Sequence, residues 1–184
     1  MADIAEAGTR ASEVIARIRA LLQKAGAEKT RLDINEVIQE VLALTRSELH
    51  THQVSVQTDL RTGLPPVLGD RVQLQQVILN LMMNSIEAMT GVTNRPRVLV
   101  LRSQAHESGN VLVAVQDSGV GLDPQHMDQI FKTFFTTKPG GIGMGLSISR
   151  SIIEAHGGHL WTATTPGPGA TFYFALPACS EGVP

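Results

Sequence analysis

The sequence predicts a domain of α/β class, and three observations carry that expectation. A near-continuous apolar run at 111–116 has the pattern of a buried strand and ends in Asp117-Ser118-Gly119-Val120-Gly121. A second glycine cluster, Gly140-Gly141-Ile142-Gly143-Met144-Gly145-Leu146, opens a helical pattern through Ile148, Ile152 and Ile153 that stops at Gly157-Gly158. Between the two clusters lies a long segment with little strand pattern, holding Phe131, Phe134, Phe135, Thr136, Thr137 and Lys138. The order is therefore strand, carboxylate, glycine turn, long loop, glycine turn, helix.

The remaining elements follow in chain order. Residues 3–24 read as an amphipathic helix, with Ile4, Ala7, Ala11, Val14, Ile18 and Leu21 on one stripe, Ile15 and Leu22 beside them, and Arg10, Arg17, Arg19 and Lys24 facing away. A helix of this length is marginal in water without something to pack against. Residues 25–30 form a polar hinge. A second helix starts at Ile34 behind Asp33 as N-cap and runs through Val37, Val41 and Leu44. Residues 54–60 set Val54, Val56, Thr58 and Leu60 against Ser55, Gln57 and Asp59, the alternation of a half-buried strand. After Pro65-Pro66 comes a helix at 70–90. A strand at 98–102 pairs with 111–116 across a turn at 106–110. Strands at 160–164 and 171–176, joined through Pro166-Gly167-Pro168-Gly169, close the chain.

The helix at 70–90 carries the second chemical signal. At about 100° per residue, Gln73, Gln76, Asn80, Asn84 and Glu87 fall on one narrow stripe. Val72, Leu74, Val77, Ile78, Leu79, Leu81, Met82, Met83, Ile86 and Met89 cover most of the rest. Amides inside an apolar helix need partners. They face a polar ligand or ordered water, or they pair among themselves in the core. Asn80 and Asn84, one turn apart, can aim two carbonyl oxygens at one point, and Mg²⁺ takes a few protein oxygens with phosphates and water for the remainder.

Glycines allow backbone N–H groups to approach a ligand closely, and a glycine run feeding a helix presents unsatisfied donors with the positive end of the dipole behind them. Phosphate is the usual guest, so the paired clusters predict a nucleotide site. The P-loop pattern GxxxxGK[ST] is absent. Gly141-Ile142-Gly143-Met144-Gly145 is GxGxG without a strand in front, so the Rossmann pattern fails as well.

The whole-chain properties agree. The chain has 184 residues, 42% hydrophobic and 17% charged, which suits one globular domain with a small appendage. A net charge of −2 argues against a nucleic-acid surface. The single cysteine, Cys179, excludes an internal disulfide and gives no zinc pattern, so a reducing compartment is expected. No apolar run approaches a membrane span and no signal-peptide pattern precedes the first helix. The expectation is a cytoplasmic domain without membrane contact of its own.

Taken together, the motifs resemble a known family. Asn80-Leu81-Met82-Met83-Asn84-Ser85-Ile86-Glu87-Ala88-Met89 resembles the N box of sensor histidine kinases. Asp117 to Gly121 resembles their G1 box, 130–138 the F box, 141–146 the G2 box, and Gly167-Pro168-Gly169-Ala170-Thr171-Phe172 the last glycine motif. Order and spacing of all five agree over about residues 30–178. Glu87-Ala88-Met89, the Phe134 to Lys138 run and His156-Gly157-Gly158 are nearest the nitrogen-, dicarboxylate- and oxygen-sensing branch.

The resemblance implies a two-layer sandwich of Bergerat type, a mixed sheet covered by helices, that binds ATP and Mg²⁺. It implies Asn84 as magnesium ligand, with Asn80 positioning metal or phosphate. Asp117 would accept the adenine exocyclic amine, and Gly119 and Gly121 would let the base and ribose lie close. Residues 122–143 would be the lid, with the Phe cluster as anchor and Lys138 near the phosphates. Gly141, Ile142, Gly143, Met144, Gly145 and Leu146 would start the phosphate-holding helix, and Thr171 would belong to the nucleotide site.

It also divides the chain into 1–26, part of a dimerisation hairpin, and 27–180, the catalytic domain. The implied partners are a histidine-bearing dimerisation domain, a response regulator and a second copy in the full-length protein. None of His50, His52, His106, His126, His156 and His159 has the family's acceptor context, a histidine on the first hairpin helix followed by an acidic residue. His156 reads as a helix cap, and His50 and His52 as surface residues. A serine kinase of the same fold and a nucleotide-binding module without transfer are the rival readings.

Overall fold

The computed structural model describes residues 29–127, 129–137, 141–163 and 167–179. The helix expected at 3–24, the hairpin assignment of 1–26, Lys138 and Gly140 lie outside the described residues.

Five strands form one sheet in the order β2-β4-β5-β7-β6: β2 Ser55–Leu60, β4 Val98–His106, β5 Asn110–Asp117, β7 Thr171–Pro177 and β6 His159–Ala163. Only the β2–β4 pair is parallel, so the sheet is mixed as expected. A ribbon of β1, Thr30–Leu32, and β3, Val67–Gly69, stands apart from it. Val111, Val113 and Val115 on β5, with Leu99, Leu101 and Phe174, point into one core. Helices α1 Ile34–Leu44, α3 Arg71–Thr90 and α4 Gly145–Ala155 supply Val37, Ile38, Leu74, Ile78, Leu81, Met82 and Ile153 to that core. On the opposite sheet face His159, Trp161 and Tyr173 stack in a row, with ring centroids 5.5 and 5.6 Å apart. The architecture is the expected two-layer α/β sandwich.

Local chemistry sets the helix starts. Asp33 caps α1 by accepting from the Asn35 amide at 2.8 Å, and Asp70 caps α3 by accepting from Val72 at 2.9 Å and Gln73 at 3.2 Å. His156 closes α4, as its sequence position suggests, and does more. Its Nε2 accepts from the Asp70 amide at 3.0 Å and its Nδ1 lies 2.7 Å from the Ile152 carbonyl. Both bonds form at once when Nδ1 carries the proton, so the ring ties the end of α4 to the cap of α3.

Several expectations change. Strand β4 runs to His106 rather than stopping at 102, because Ser103 and Ala105 keep the ladder with Val113 and Val111 while polar Gln104 points outward. Helix α2, Arg46–Thr51, follows a break at Thr45, whose hydroxyl bonds the Val41 carbonyl at 2.8 Å. Thr58 is exposed, because β2 is an edge strand. Val72 and Leu79 are 63% and 37% exposed, so α3 is not apolar all round. The two are seven residues apart and share a face that no described element covers.

Candidate nucleotide-binding site

The site lies where α3, the end of β5, the loop before β7 and the start of α4 converge. Its first half is built on Asp117, only 3% exposed at the end of β5. The backbone of Asp117 donates to the Ala170 carbonyl at 2.9 Å, which locks the strand end to the β7 approach. Its carboxylate Oδ1 accepts from the Gly119 amide at 2.8 Å and the Ala170 amide at 3.3 Å. Both backbone bonds fall on Oδ1, so Oδ2 keeps its acceptor capacity.

Burial pushes the Asp117 carboxyl above its ordinary range, and the two backbone bonds only partly offset that. The Ser85 hydroxyl lies against the carboxylate and lowers its pKa in the same sense as those bonds. Yet neither Ser85 Oγ nor the buried Thr171 Oγ1 completes a well-formed hydrogen bond to a protein group. A buried carboxylate with an unsatisfied hydroxyl against it is an arrangement that a polar ligand or its waters would complete, and the Thr171 hydroxyl, one residue beyond Ala170, is a second buried group without a hydrogen bond.

Gly119 permits this half to close. A Cβ there would sit 2.7 Å from the Ala88 carbonyl oxygen and 2.8 Å from Asp117 Oδ1. The turn is bound to α3 by the Val120 amide on the Ala88 carbonyl at 3.2 Å. Gly121, at φ 83°, turns the chain away towards Gly169.

The second half is backbone. Helix α4 begins at Gly145 with Met144 at its N-cap and no side chain satisfying its first amides. Gly143 takes φ 69°, and a Cβ on it would lie 2.6 Å from Phe135 O and from Phe134 C. The Phe134 amide bonds the Gly143 carbonyl at 2.9 Å, so the start of α4 is folded onto the phenylalanine segment. A Cβ on Gly145 would sit 2.5 Å from Asn80 Oδ1. Met144 and Leu146 pack against the core, Ile142 is 38% exposed and Gly141 is exposed.

The amide stripe of α3 is not uniform in its surroundings. Asn80 Nδ2 donates to Ser149 Oγ on α4 at 3.0 Å, so Asn80 is partly a helix–helix contact rather than wholly ligand-facing. Asn84 follows one turn later, half-buried, with Gln73 and Gln76 half-buried before it and Glu87 exposed after it.

The segment expected as a lid is held unevenly. Phe131 meets the Phe172 ring edge-on at 6.4 Å, and the Arg150 guanidinium lies 5.4 Å from its centroid. Phe135 lies 5.4 Å from the His126 ring. Phe134 is 71% exposed at φ 68°, so it does not share in the anchoring expected of the cluster.

The structure thus sets Asn80 beside Gly145 and Ser149, Asp117 beside Gly119 and Ser85, and Gly143 against the Phe134–Phe135 backbone, while Asn84 follows one turn after Asn80 and Thr171 opens β7 directly after Ala170. Sequence reading missed Ser85, Ser149 and Arg150. Ser85 follows Asn84 directly, and a serine at a buried position of an apolar helix was the available signal.

Residues 69–180 match the family model described as histidine kinase-, DNA gyrase B-, and HSP90-like ATPase. The chain is 41% identical over 177 residues to the sensor protein FixL of Bradyrhizobium diazoefficiens, covering 96% of this chain and 35% of FixL. It is 38% identical over 169 residues to the sensor protein TdiS of Thauera aromatica, covering 91% of this chain and 31% of TdiS. The chain therefore spans about a third of the length of these curated relatives. The solved catalytic domain of the histidine kinase ThkA superposes with a TM-score of 0.72 at 34% identity, over 83% of this chain and 97% of that one. With the Asp117 and glycine geometry on the same scaffold, the chain belongs to the histidine kinase-, DNA gyrase B- and HSP90-like ATPase family, as a catalytic domain of the sensor histidine kinase type.

Proposed function

We propose that this chain binds ATP with Mg²⁺ and delivers the γ-phosphoryl group to a histidine on a dimerisation domain, for relay to a response regulator. The observation that carries the reading is Asp117: a buried carboxylate with backbone donors on one oxygen and the unsatisfied Ser85 hydroxyl beside it. In this reading the other oxygen accepts the exocyclic amine of adenine, and the Ser85 and Thr171 hydroxyls hold the base or an intervening water. The first amides of α4 and the glycines at 141, 143 and 145 receive the triphosphate. Lys138 serves the phosphates. Asn80 acts through Ser149, holding the start of α4 at its distance from α3.

Among the described residues no three His, Cys, Asp or Glu side chains gather into a metal cluster. A lone carboxamide oxygen fits an ion that takes most of its ligands from phosphate and water, so Asn84 would hold Mg²⁺. Bound there, the ion would neutralise charge on the triphosphate. The chain's own contribution to transfer is positioning. The bond from γ-phosphorus to the bridging oxygen breaks, a P–N bond forms on the acceptor imidazole, and ADP leaves.

ThkA has been solved in complex with the response regulator TrrA, at 28% identity to this chain and a TM-score of 0.74. That likeness supports a response regulator as partner here. Residues 1–26 would form part of the dimerisation hairpin and 27–180 the catalytic domain, with the parent protein a homodimer. Cytoplasmic placement of this domain belongs to the same proposal; among the described residues no helix is long and apolar enough to cross a membrane.

A mixing experiment tests the reading. Labelled ATP is incubated with the chain, with and without a hairpin domain bearing an acceptor histidine from the same parent. Acid-labile label on the added hairpin alone is expected, at a low level because the partner is untethered. Acid-stable label on a separate protein would favour a serine kinase. ATP binding with no label would reduce the chain to a nucleotide-binding module.

A further inference from the structure

Outside the site so far described, the 91–97 loop carries two arginines whose guanidinium groups are spent on backbone carbonyls. Arg97 bonds three of its own neighbourhood: Val92 at 3.1 Å, Thr90 at 2.9 Å and His52 at 2.8 Å. Those bonds hold the loop in shape. Arg95 reaches elsewhere. Its Nε donates to the Ser118 carbonyl at 3.0 Å and its Nη2 to the Gly119 carbonyl at 2.7 Å, with Nη1 3.4 Å from Asn94 Oδ1. One planar fork thus grips two successive peptides of the turn that follows Asp117.

Those two peptides hold the base end together. The Gly119 residue whose carbonyl Arg95 binds also donates its own amide to Asp117 Oδ1. Ser118 is fixed from the same loop and from the start of β4: its Oγ donates to the Pro96 carbonyl at 2.9 Å and accepts from the Val98 amide at 2.8 Å. Glycine turns are the most permissive backbone in the chain, and this one must present a single carboxylate geometry. From inside, the Gly119 amide sets the carboxylate. From outside, only side chains of the 91–97 loop restrain the carbonyls of that turn among the described hydrogen bonds.

We propose that Arg95 is a positioning residue for base recognition: by clamping the Ser118 and Gly119 carbonyls it holds the Gly119 amide on Asp117 Oδ1 and so aims Oδ2 at the exocyclic amine of the nucleotide. The proposal rests on the reading of Asp117 as the adenine acceptor. Arg95 touches no part of the nucleotide and acts entirely through the turn. Its loss costs discrimination between bases, not the general grip on the triphosphate.

The test uses the full 184-residue chain and two nucleotides, ATP and purine riboside triphosphate, which lacks the exocyclic amine. Affinities of both are measured by calorimetry for the parent chain, Arg95→Gln and Arg95→Lys. The parent chain prefers ATP by roughly tenfold or more, as a charge-assisted hydrogen bond implies. Arg95→Gln reduces that preference severalfold while the affinity for the amine-free nucleotide changes little. Arg95→Lys, with one compact charge in place of the fork, gives an intermediate preference.

Because the readout is a ratio within one sample, partial unfolding does not imitate it. An undiminished preference in Arg95→Gln, or equal weakening of both nucleotides, overturns the proposal. If Arg95→Gln fails to fold, an undiminished preference in Arg95→Lys overturns it as well. A parent chain that binds both nucleotides equally contradicts the reading of Asp117 itself, whereas a parental preference that the variants keep contradicts only the role of Arg95.

Discussion

The two ends of the candidate site are built from different materials. At the end proposed to hold the base lie side chains of α3, β5 and β7: Ser85, Asp117 and Thr171, all nearly inaccessible. At the end proposed to hold the phosphates the groups on offer are backbone amides at the uncapped start of α4, shaped by glycines and by the partly exposed Phe134 segment. A buried carboxylate discriminates, because it penalises any ligand that leaves it unpaired. An array of backbone donors binds charge without reading identity. In the proposed reading, discrimination between bases belongs to the sheet end and grip on phosphate to the loop end.

The largest effect comes from breaking the base end. Asp117→Asn keeps an oxygen for the Gly119 and Ala170 amides but presents no charged acceptor. At a hundredfold excess of ATP over its dissociation constant, the parent chain is stabilised by about 2.7 kcal/mol, a melting shift of roughly 5–11 °C. In Asp117→Asn that shift disappears. Without nucleotide the same variant melts at or above the parent temperature near neutral pH. The sign follows from linkage. Burial raises the folded carboxyl above 3.8, so the folded state holds its proton to higher pH than the unfolded chain. The parent chain loses stability as pH rises from that value through the raised one, and the asparagine variant is spared the loss. Nucleotide binding runs the other way, weakening as pH falls and the acceptor is protonated. Thermal melts of both proteins across that range, with and without ATP, check all three statements.

Breaking the phosphate end costs less and leaves discrimination alone. Gly143→Ala places a Cβ against the Phe134–Phe135 backbone at positive φ, a strain of about 1–3 kcal/mol. ATP and GTP affinities are expected to fall together, with their ratio kept. Titration of both nucleotides decides it, and a changed ratio would show that the two ends are not separable.

Much of this division is legible in the chain itself. The Asp117 turn, the glycine cluster before α4 and the amides of α3 all carry local signals, since special backbone and polar residues in apolar runs are visible without coordinates. The pairing of β1 with β3 is not, because three-residue strands hold no measurable period. Nor are the contacts that cross the fold. Asn80 reads as a ligand-facing amide until Ser149, 69 residues later, takes its Nδ2. His156 reads as a cap for its own helix, and only the tertiary fold sets its other nitrogen on Asp70. Phe134 and Phe131 are alike in sequence, yet one is exposed and the other meets Phe172.

Two smaller effects sharpen the comparison by touching neither end directly. His156→Ala leaves the Asp70 amide without its partner and costs about 1 kcal/mol or more, read by denaturant melts. The nucleotide-induced stabilisation remains as in the parent. Arg150→Met keeps a long side chain beside Phe131 but removes the cation over the ring, worth about 0.5–1 kcal/mol at an exposed site. Hydrogen exchange around Phe131 is expected to quicken without change in the preference for ATP.

The claim that the buried end reads adenine has one direct measurement. ATP and GTP are titrated in turn into the parent chain with magnesium in excess. Guanine carries a carbonyl where adenine carries its exocyclic amine, and a carbonyl facing the Asp117 carboxylate meets repulsion instead of a hydrogen bond. ATP is expected to bind at least tenfold more tightly, on the order of one charge-assisted hydrogen bond, and equal affinities would contradict the account.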